Sequence, residues 1–279
     1  MRFKKVYIEI TNTCNFSCSF CFQSNRPLAL MQVEQFSHII QQIRPFTNHI
    51  YLHVLGEPLL HPLLSEILKI CKNANLLVNI TTNGSLLAES LHVLKWNKVR
   101  QINVSLHDAD ENIASEALDV YFDQVCNSSQ ELSHTTVINF RLWNIGAHAI
   151  AFNNEAIARL SAYFGVEIPD ETYFNTSRNF QLTQNVFLQK AMRFEWPDNE
   201  TIRNQNQKKC YALRDHVAIL VDGTVVPCCI DAGGCMKLGN VFAHDFEGII
   251  NSDRALKIQQ GFKHRKIVEP LCKSCGFVI

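Results

Sequence analysis

Short apolar runs alternate with amphipathic stretches over roughly the first two-thirds of the 279-residue chain. Residues 6–10 read as a strand, and residues 31–43 repeat apolar positions at helical spacing until Pro45 stops them. The unit recurs as a strand over 49–55 and a helix near 62–72, with proline at the helix start. Residues 76–81 and 85–95 repeat it again, and 99–106 leads into a helical stretch within 110–132. Residues 135–143 are rich in β-formers. Residues 153–164 are helical, and 184–188 supply a sixth, weakly marked strand. Such alternation predicts a parallel sheet covered by helices. Six strands are too few for an eight-stranded barrel. The expected fold is therefore α/β, a partial (β/α)6 TIM-like barrel over residues 1–200, with reactive groups at the C-terminal ends of strands.

From about residue 199 the texture changes. A polar run over 204–209 marks a boundary. Beyond it the pattern predicts a hairpin of 217–221 and 224–227 around Asp222-Gly223, then a helix near 246–260. Residues 201–279 are cysteine-rich and short, in the manner of a small metal-stapled domain.

Composition narrows the function classes. A hydrophobic content of 47% with 19% charged residues excludes disorder. Twenty-six basic and 26 acidic residues cancel, and no basic run offers the footprint of a nucleic-acid binder. The start Met1-Arg2-Phe3-Lys4-Lys5 is basic, but the apolar run behind it is short and carries Glu9. No stretch approaches the length of a membrane span. A cytoplasmic location is expected, where 11 cysteines read as metal ligands more readily than as disulfides.

Cys14, Cys18 and Cys21 form a C-x3-C-x2-C triplet in the loop after the first strand. Three soft thiolates can hold three corners of a four-iron cubane and leave one iron open, the mark of a catalytic site. Packed cysteines or a partial zinc knuckle are the alternatives. Cys210-x12-Gly223-x4-Cys228 and Cys272-x2-Cys275 supply four further thiolates. Four ligands close a site and suit electron transfer, structure, or a zinc ribbon. Cys71 and Cys126 sit in helical stretches as small core residues.

The triplet, with Phe20 just before its third cysteine in a loop of a βα repeat, resembles the radical S-adenosylmethionine (SAM) superfamily. The resemblance implies a [4Fe–4S] cluster whose open iron chelates SAM, and reductive cleavage of SAM to a 5′-deoxyadenosyl radical that abstracts a substrate hydrogen. Leu55-Gly56-Glu57-Pro58 resembles the family's Gly-Gly-Glu-Pro element, with Leu55 in place of the first glycine. By the same resemblance Glu57 takes the methionine amino group, while Thr82, Asn83 and Ser105 at strand ends meet the ribose and carboxylate. Arg141 would pair with that carboxylate, Asn144 follows it closely, and His107 reads as structural.

The segment Asp222-Gly223-Thr224-Val225-Val226-Pro227-Cys228 resembles the SPASM/Twitch auxiliary-cluster extension. Since the sequence ends at Ile279, the one-cluster Twitch form fits better. It implies a second [4Fe–4S] cluster on Cys210, Cys228, Cys272 and Cys275. Cys229 or Cys235 could substitute as a ligand or donate a hydrogen atom. The expected function is hydrogen abstraction from a small-molecule or peptide substrate, as a net oxidation or a maturation step. The expected partner is an external one-electron reductant such as flavodoxin or ferredoxin. A peptide maturase or epimerase is the alternative, weakened because only 13 residues precede Cys14. A non-catalytic metal-binding or redox-sensing protein is the alternative of another class.

Overall fold

A computed structural model describes residues 3–145, 149–197 and 209–277. In chain order, β1 (Lys5–Ile8), α1 (Val33–Ile43), β2 (His49–Tyr51) and α2 (Leu64–Asn73) come first. They are followed by β3 (Leu77–Thr82), α3 (Leu87–Asn97), β4 (Gln101–Ser105), α4 (Ala109–Asn112) and α5 (Leu118–Leu132). Next come β5 (Val137–Ile145), α6 (Ile150–Phe164), α7 (Glu171–Thr176), β6 (Asn179–Thr183) and β7 (Val186–Met192). The C-terminal segment holds β8 (His216–Ile219), β9 (Thr224–Val226), β10 (Gly239–Asn240), α8 (Phe246–Ile250), α9 (Asp253–Lys263) and α10 (Pro270–Ser274).

The chain forms two compact units. One is Met1–Cys14, Phe20–Val78 and Phe194–Ile279; the other is Asn15–Ser19 and Asn79–Arg193. In the first, β1 lies parallel to β2 on one side and to β8 on the other, and β8, β9 and β10 continue antiparallel. Val6 and Ile8 are fully buried beside Ile50, Val217 and Ile219. The buried face of α1 is Phe36, Ile39, Ile40 and Ile43, the i, i+3, i+4, i+7 stripe of an amphipathic helix. In the second unit β3, β4, β5 and β7 run parallel, and β6 pairs antiparallel with β7.

Several elements differ from the sequence pattern. The sixth strand is β7, longer than expected, and it is preceded by β6, which the pattern does not mark. The two join through Asn185, whose φ of 60° suits asparagine in a tight turn. The helix near 246–260 is two helices. Asp245 caps α8 by accepting from the Gly248 N–H at 2.7 Å, and Ser252 caps α9 by accepting from Ala255, so a new start is built where one helix was expected. The stretch within 110–132 likewise divides into α4 and α5. The hairpin around Gly223 (φ 84°) forms as expected, and its first strand also joins β1. The boundary near residue 200 and nearly all of the polar run fall outside the described residues.

One buried charge organises the first unit. Glu9 is fully buried just beyond β1. Its carboxylate accepts from Arg26 Nη1 and Nη2 at 2.7 Å each, from the Leu55 N–H at 3.1 Å and from the Val221 N–H at 2.9 Å. Arg26 Nε donates to the Ala232 carbonyl at 2.9 Å. Removing one partner of such a pair strands the other. Glu9→Ala is expected to destabilise the protein by about 3–5 kcal/mol, and Glu9→Ala/Arg26→Ala by less than the two single changes added. Urea-unfolding midpoints check both.

Two histidines add a pH dependence. Burial pushes His107 and His216 down to about 4 from 6.5, and nearby cationic side chains add to the effect. His107 Nδ1–H donates to the Arg141 carbonyl at 3.0 Å, which opposes the shift only partly. A depressed histidine is neutral when folded and charged when unfolded between those values. Its stabilisation is complete above about 6.5 and is lost as pH falls toward 4. The urea midpoint should therefore drop between pH 7.5 and 5, and His107→Gln should reduce the drop.

Candidate iron–sulfur and cofactor site

The loop after β1 is pinned at its base. Thr11 bridges Leu30, and the Met31 N–H donates to the Ile10 carbonyl at 2.9 Å. Asn12 donates to the Pro27 carbonyl at 2.9 Å and accepts from the Ala29 N–H at 2.8 Å. Beyond this clamp the loop carries the cysteine triplet, with Cys14 and Cys21 exposed and Cys18 buried. Phe20 is half-buried. Phe22, which no motif marked, packs its ring 5.6 Å from Trp196. A Cβ on Gly233 would approach the Phe22 ring at 3.1 Å, so a small residue there makes room for that ring.

Cys14 and Cys21 belong to the first unit and Cys18 to the second. Around Cys18, the Asn112 side-chain amide donates to Sγ at 3.2 Å and accepts from the Ser17 N–H at 2.7 Å. Glu111 accepts from the Ser19 N–H and Oγ at 2.6 and 2.8 Å. Burial works against its charged form, but those two bonds and the Arg193 cation together hold the carboxyl below its usual range. Asn15 donates to Ser85 and accepts from Asn83, each at 2.9 Å. Sequence spacing gives no hint of Glu111 and Asn112, which lie more than 90 residues from the groups they hold.

Gly56 and Glu57 follow β2. Gly56 has a φ of 76°, and a Cβ there would come within 2.5 Å of the Thr11 carbonyl oxygen. Backbone meets backbone at this point, as the Glu57 N–H donates to the Thr13 carbonyl at 2.9 Å. Glu57 is buried, and its Oε1 accepts from the Leu59 N–H at 2.9 Å, capping a 3-10 turn over Pro58–Leu60. In the second unit Thr82 Oγ1 accepts from the Gly84 N–H at 3.0 Å, and Asn83 Oδ1 accepts from the Ser85 N–H and Oγ. The structure brings Ser105 and Arg141 side by side as register partners at the ends of β4 and β5. The Arg141 guanidinium lies 4.3 Å from the Trp143 ring centre. Asn144 is buried, and neither polar atom of its amide has a hydrogen-bond partner among the described residues. A buried amide left this way suits a polar ligand.

The second thiol set lies wholly in the first unit. Burial, then the neighbouring thiols of Cys229, Cys272 and Cys210, push Cys228 well above the ordinary cysteine range, so each of the three lies within electrostatic reach of Cys228. Cys229 is raised by burial and contacts the Tyr7 side chain, with Cys275 near enough to add to the shift. Cys272 Sγ lies 3.7 Å from Met236 Sδ. Cys235 is exposed; its N–H donates to buried Asp231, which also accepts from Met236. Cys71 and Cys126 are buried core thiols with raised values, Cys126 up to about 12. None of the 11 cysteines forms a disulfide.

Among the described residues no three His, Cys, Asp or Glu side chains converge on a single metal ion. A cubane spreads its ligands over a larger body, and an all-thiolate donor set fits it. An amide donor on Cys18 Sγ and the Asn144 amide, without a partner among the described residues, fit a cluster and a polar cofactor. No helix among the described residues is long and apolar enough to cross a membrane.

Comparison with known proteins agrees. The model of the Radical SAM superfamily matches residues 8–133, and that of an iron–sulfur cluster-binding domain, SPASM, matches 210–276. A probable GTP 3′,8-cyclase of Sulfurisphaera tokodaii is 30% identical over 247 residues, 83% of this chain and 76% of that protein. The GTP 3′,8-cyclase of Chlorobaculum tepidum is 30% identical over 157 residues, 54% of this chain. The chain spans about half the length of that relative, 47%. The antilisterial bacteriocin subtilosin biosynthesis protein AlbA of Bacillus subtilis is 27% identical over 96% of this chain and 64% of its own length. The solved structure of BtrN with AdoMet and 2-DOIA superposes with a TM-score of 0.64 at 18% identity, covering 100% of this chain and 94% of BtrN. That likeness bears out the expected fold, a TIM-like partial barrel with a C-terminal iron–sulfur domain. SAM and [4Fe–4S] clusters, which the family resemblance implies, are the cofactors that the two matched domains indicate. With a superfamily match at its cysteine loop and a 30%-identical relative along most of its length, this chain belongs to the radical SAM superfamily.

Proposed function

We propose that this chain is an enzyme that uses SAM to abstract a hydrogen atom from an organic substrate in a net oxidation or maturation step. When bound, the reduced cluster and SAM supply a 5′-deoxyadenosyl radical. The observation that carries the proposal is the cysteine loop, clamped at its base by Thr11, Asn12 and Leu30, at the C-terminal end of β1. That is where α/β sheets place their chemistry. Cys14, Cys18 and Cys21 would hold the first [4Fe–4S] cluster, with Asn112 donating to the Cys18 sulfur and Phe20 beside the third ligand. Glu57 offers an acceptor for the amino group of SAM. Gly56, Thr82, Asn83, Ser105, Arg141 and Asn144 would complete its site. Cys210, Cys228, Cys272 and Cys275 would hold an auxiliary [4Fe–4S] cluster in a domain over 201–279, beside a barrel over 1–200. An external one-electron reductant such as flavodoxin or ferredoxin would serve it in the cytoplasm.

Alignment with AlbA over nearly the whole chain favours a second reading, in which the substrate is a peptide. Deuterium moving from a labelled peptide or from a labelled small alcohol into 5′-deoxyadenosine separates the two.

Anaerobically reconstituted protein is expected to carry about eight irons and to form 5′-deoxyadenosine with dithionite. Cys18→Ala should remove that activity. Cys228→Ala should lower iron content by about half and leave the rest in place. Zinc in place of iron, or no 5′-deoxyadenosine, would falsify the proposal. Asn112→Leu should retain iron but move the potential of the first cluster to more negative values, because the lost donor stabilised charge on sulfur. Redox titration followed by electron paramagnetic resonance reads the shift.

A further inference from the structure

A cleft of about 600 Å3 in the first unit is lined by Lys209, Cys210, Arg214, Gln259, Lys263 and Arg265, among others. Among the described lining residues four are cationic and none is acidic. Arg214 is committed locally: it donates to Asp215 at 2.7 and 3.1 Å and lies 3.8 Å over the Tyr211 ring. Lys209, Lys263 and Arg265 are exposed and make no ion pair among the described residues. Lys263-His264-Arg265-Lys266 is an exposed basic run leaving α9. A basic residue in the last helical turn is ordinarily explained by the helix dipole. That explanation covers Lys263 but not Lys209, which comes from a distant part of the chain, nor Arg265, which lies past the helix. In a chain of zero net charge this is a marked local asymmetry.

We infer that this cleft docks an acidic one-electron carrier protein of the flavodoxin or ferredoxin type. The choice of partner rests on the function proposed above, because Cys210, a ligand of the auxiliary cluster in that reading, forms part of the cleft wall. Uncompensated cations raise encounter rates with an acidic surface through the long-range field. Electron-transfer encounters bury little area and rely on such steering. An acidic peptide or a phosphate ligand would meet the same cations but would gain nothing from Cys210.

The test uses the reconstituted holoprotein with flavodoxin. Carbodiimide coupling and peptide mapping should join Lys209 or Lys263 to flavodoxin carboxylates. The double variant Lys263→Glu/Arg265→Glu should slow electron exchange with flavodoxin by about ten-fold or more at low salt and remove most of its salt dependence. Dithionite-driven formation of 5′-deoxyadenosine should stay at the wild-type level, which also shows that the variant is folded. Cross-links confined to other faces, or an unchanged exchange rate, would overturn the inference. So would a polyglutamate peptide that binds here with the same charge sensitivity while flavodoxin does not. Should wild-type protein form no 5′-deoxyadenosine, the enzymatic proposal fails on its own; the cross-link map still decides the docking.

Discussion

The first unit depends on the carboxylate of Glu9. An ionised carboxylate without water is tolerable only when its acceptor sites are filled. Here the guanidinium of Arg26 and two backbone N–H groups fill them. Each donor comes from a different stretch: Arg26 from the far arm of the cysteine loop, Leu55 from the segment before Gly56 and Glu57, Val221 from the β8–β9 turn. Arg26 then reaches Ala232, close to the second cysteine set. One buried charge thus fixes the return of the cysteine loop, the approach of the glycine-glutamate segment and the start of the C-terminal cysteine region. An apolar side chain at position 9 could pack there, but it could not specify three directions at once.

The second unit holds its share of the loop by short polar contacts. Asn112 is held at one end by the Ser17 N–H and points its other end at the Cys18 sulfur. Glu111 does the same for Ser19 with both oxygens. These contacts from α4 satisfy the Ser17 and Ser19 backbone N–H groups of the loop. A sulfur that receives an amide hydrogen bond is a weaker base and a better holder of negative charge. The residues that shape the loop are therefore also placed to tune whatever the loop binds.

Much of this was legible because it is periodic. The βα alternation, the triplet after the first strand, the Asp222-Gly223 hairpin and the buried Cys71 and Cys126 all leave local marks in the sequence. What was not legible is what depends on distant partners. Glu9 stands out as a charge in an apolar run, yet nothing local says that Arg26, Leu55 and Val221 will meet it. Asn112 reads as an ordinary helical asparagine until Cys18 lies against it. β6 was missed because its residues become a strand only by pairing with β7. The break at residues 251–252 was missed because helical spacing continues across it while Ser252 caps a new start.

The substitution of Leu55 for the first glycine of the family element can be weighed physically. A glycine is required where φ is positive or where a Cβ has no room. Gly56 meets both conditions, with a φ of 76° and the Thr11 carbonyl oxygen only 2.5 Å from where its Cβ would stand. Leu55 meets neither. It is not among the residues of positive φ, its side chain is buried in an apolar cluster with Tyr7, Val54 and Leu220, and its N–H is one of the two that satisfy Glu9. Here the first position supplies a backbone donor and a packed side chain, and the second supplies the close approach to the cysteine loop. Leucine satisfies the first requirement, so the constraint that matters for placing Glu57 rests on Gly56 alone.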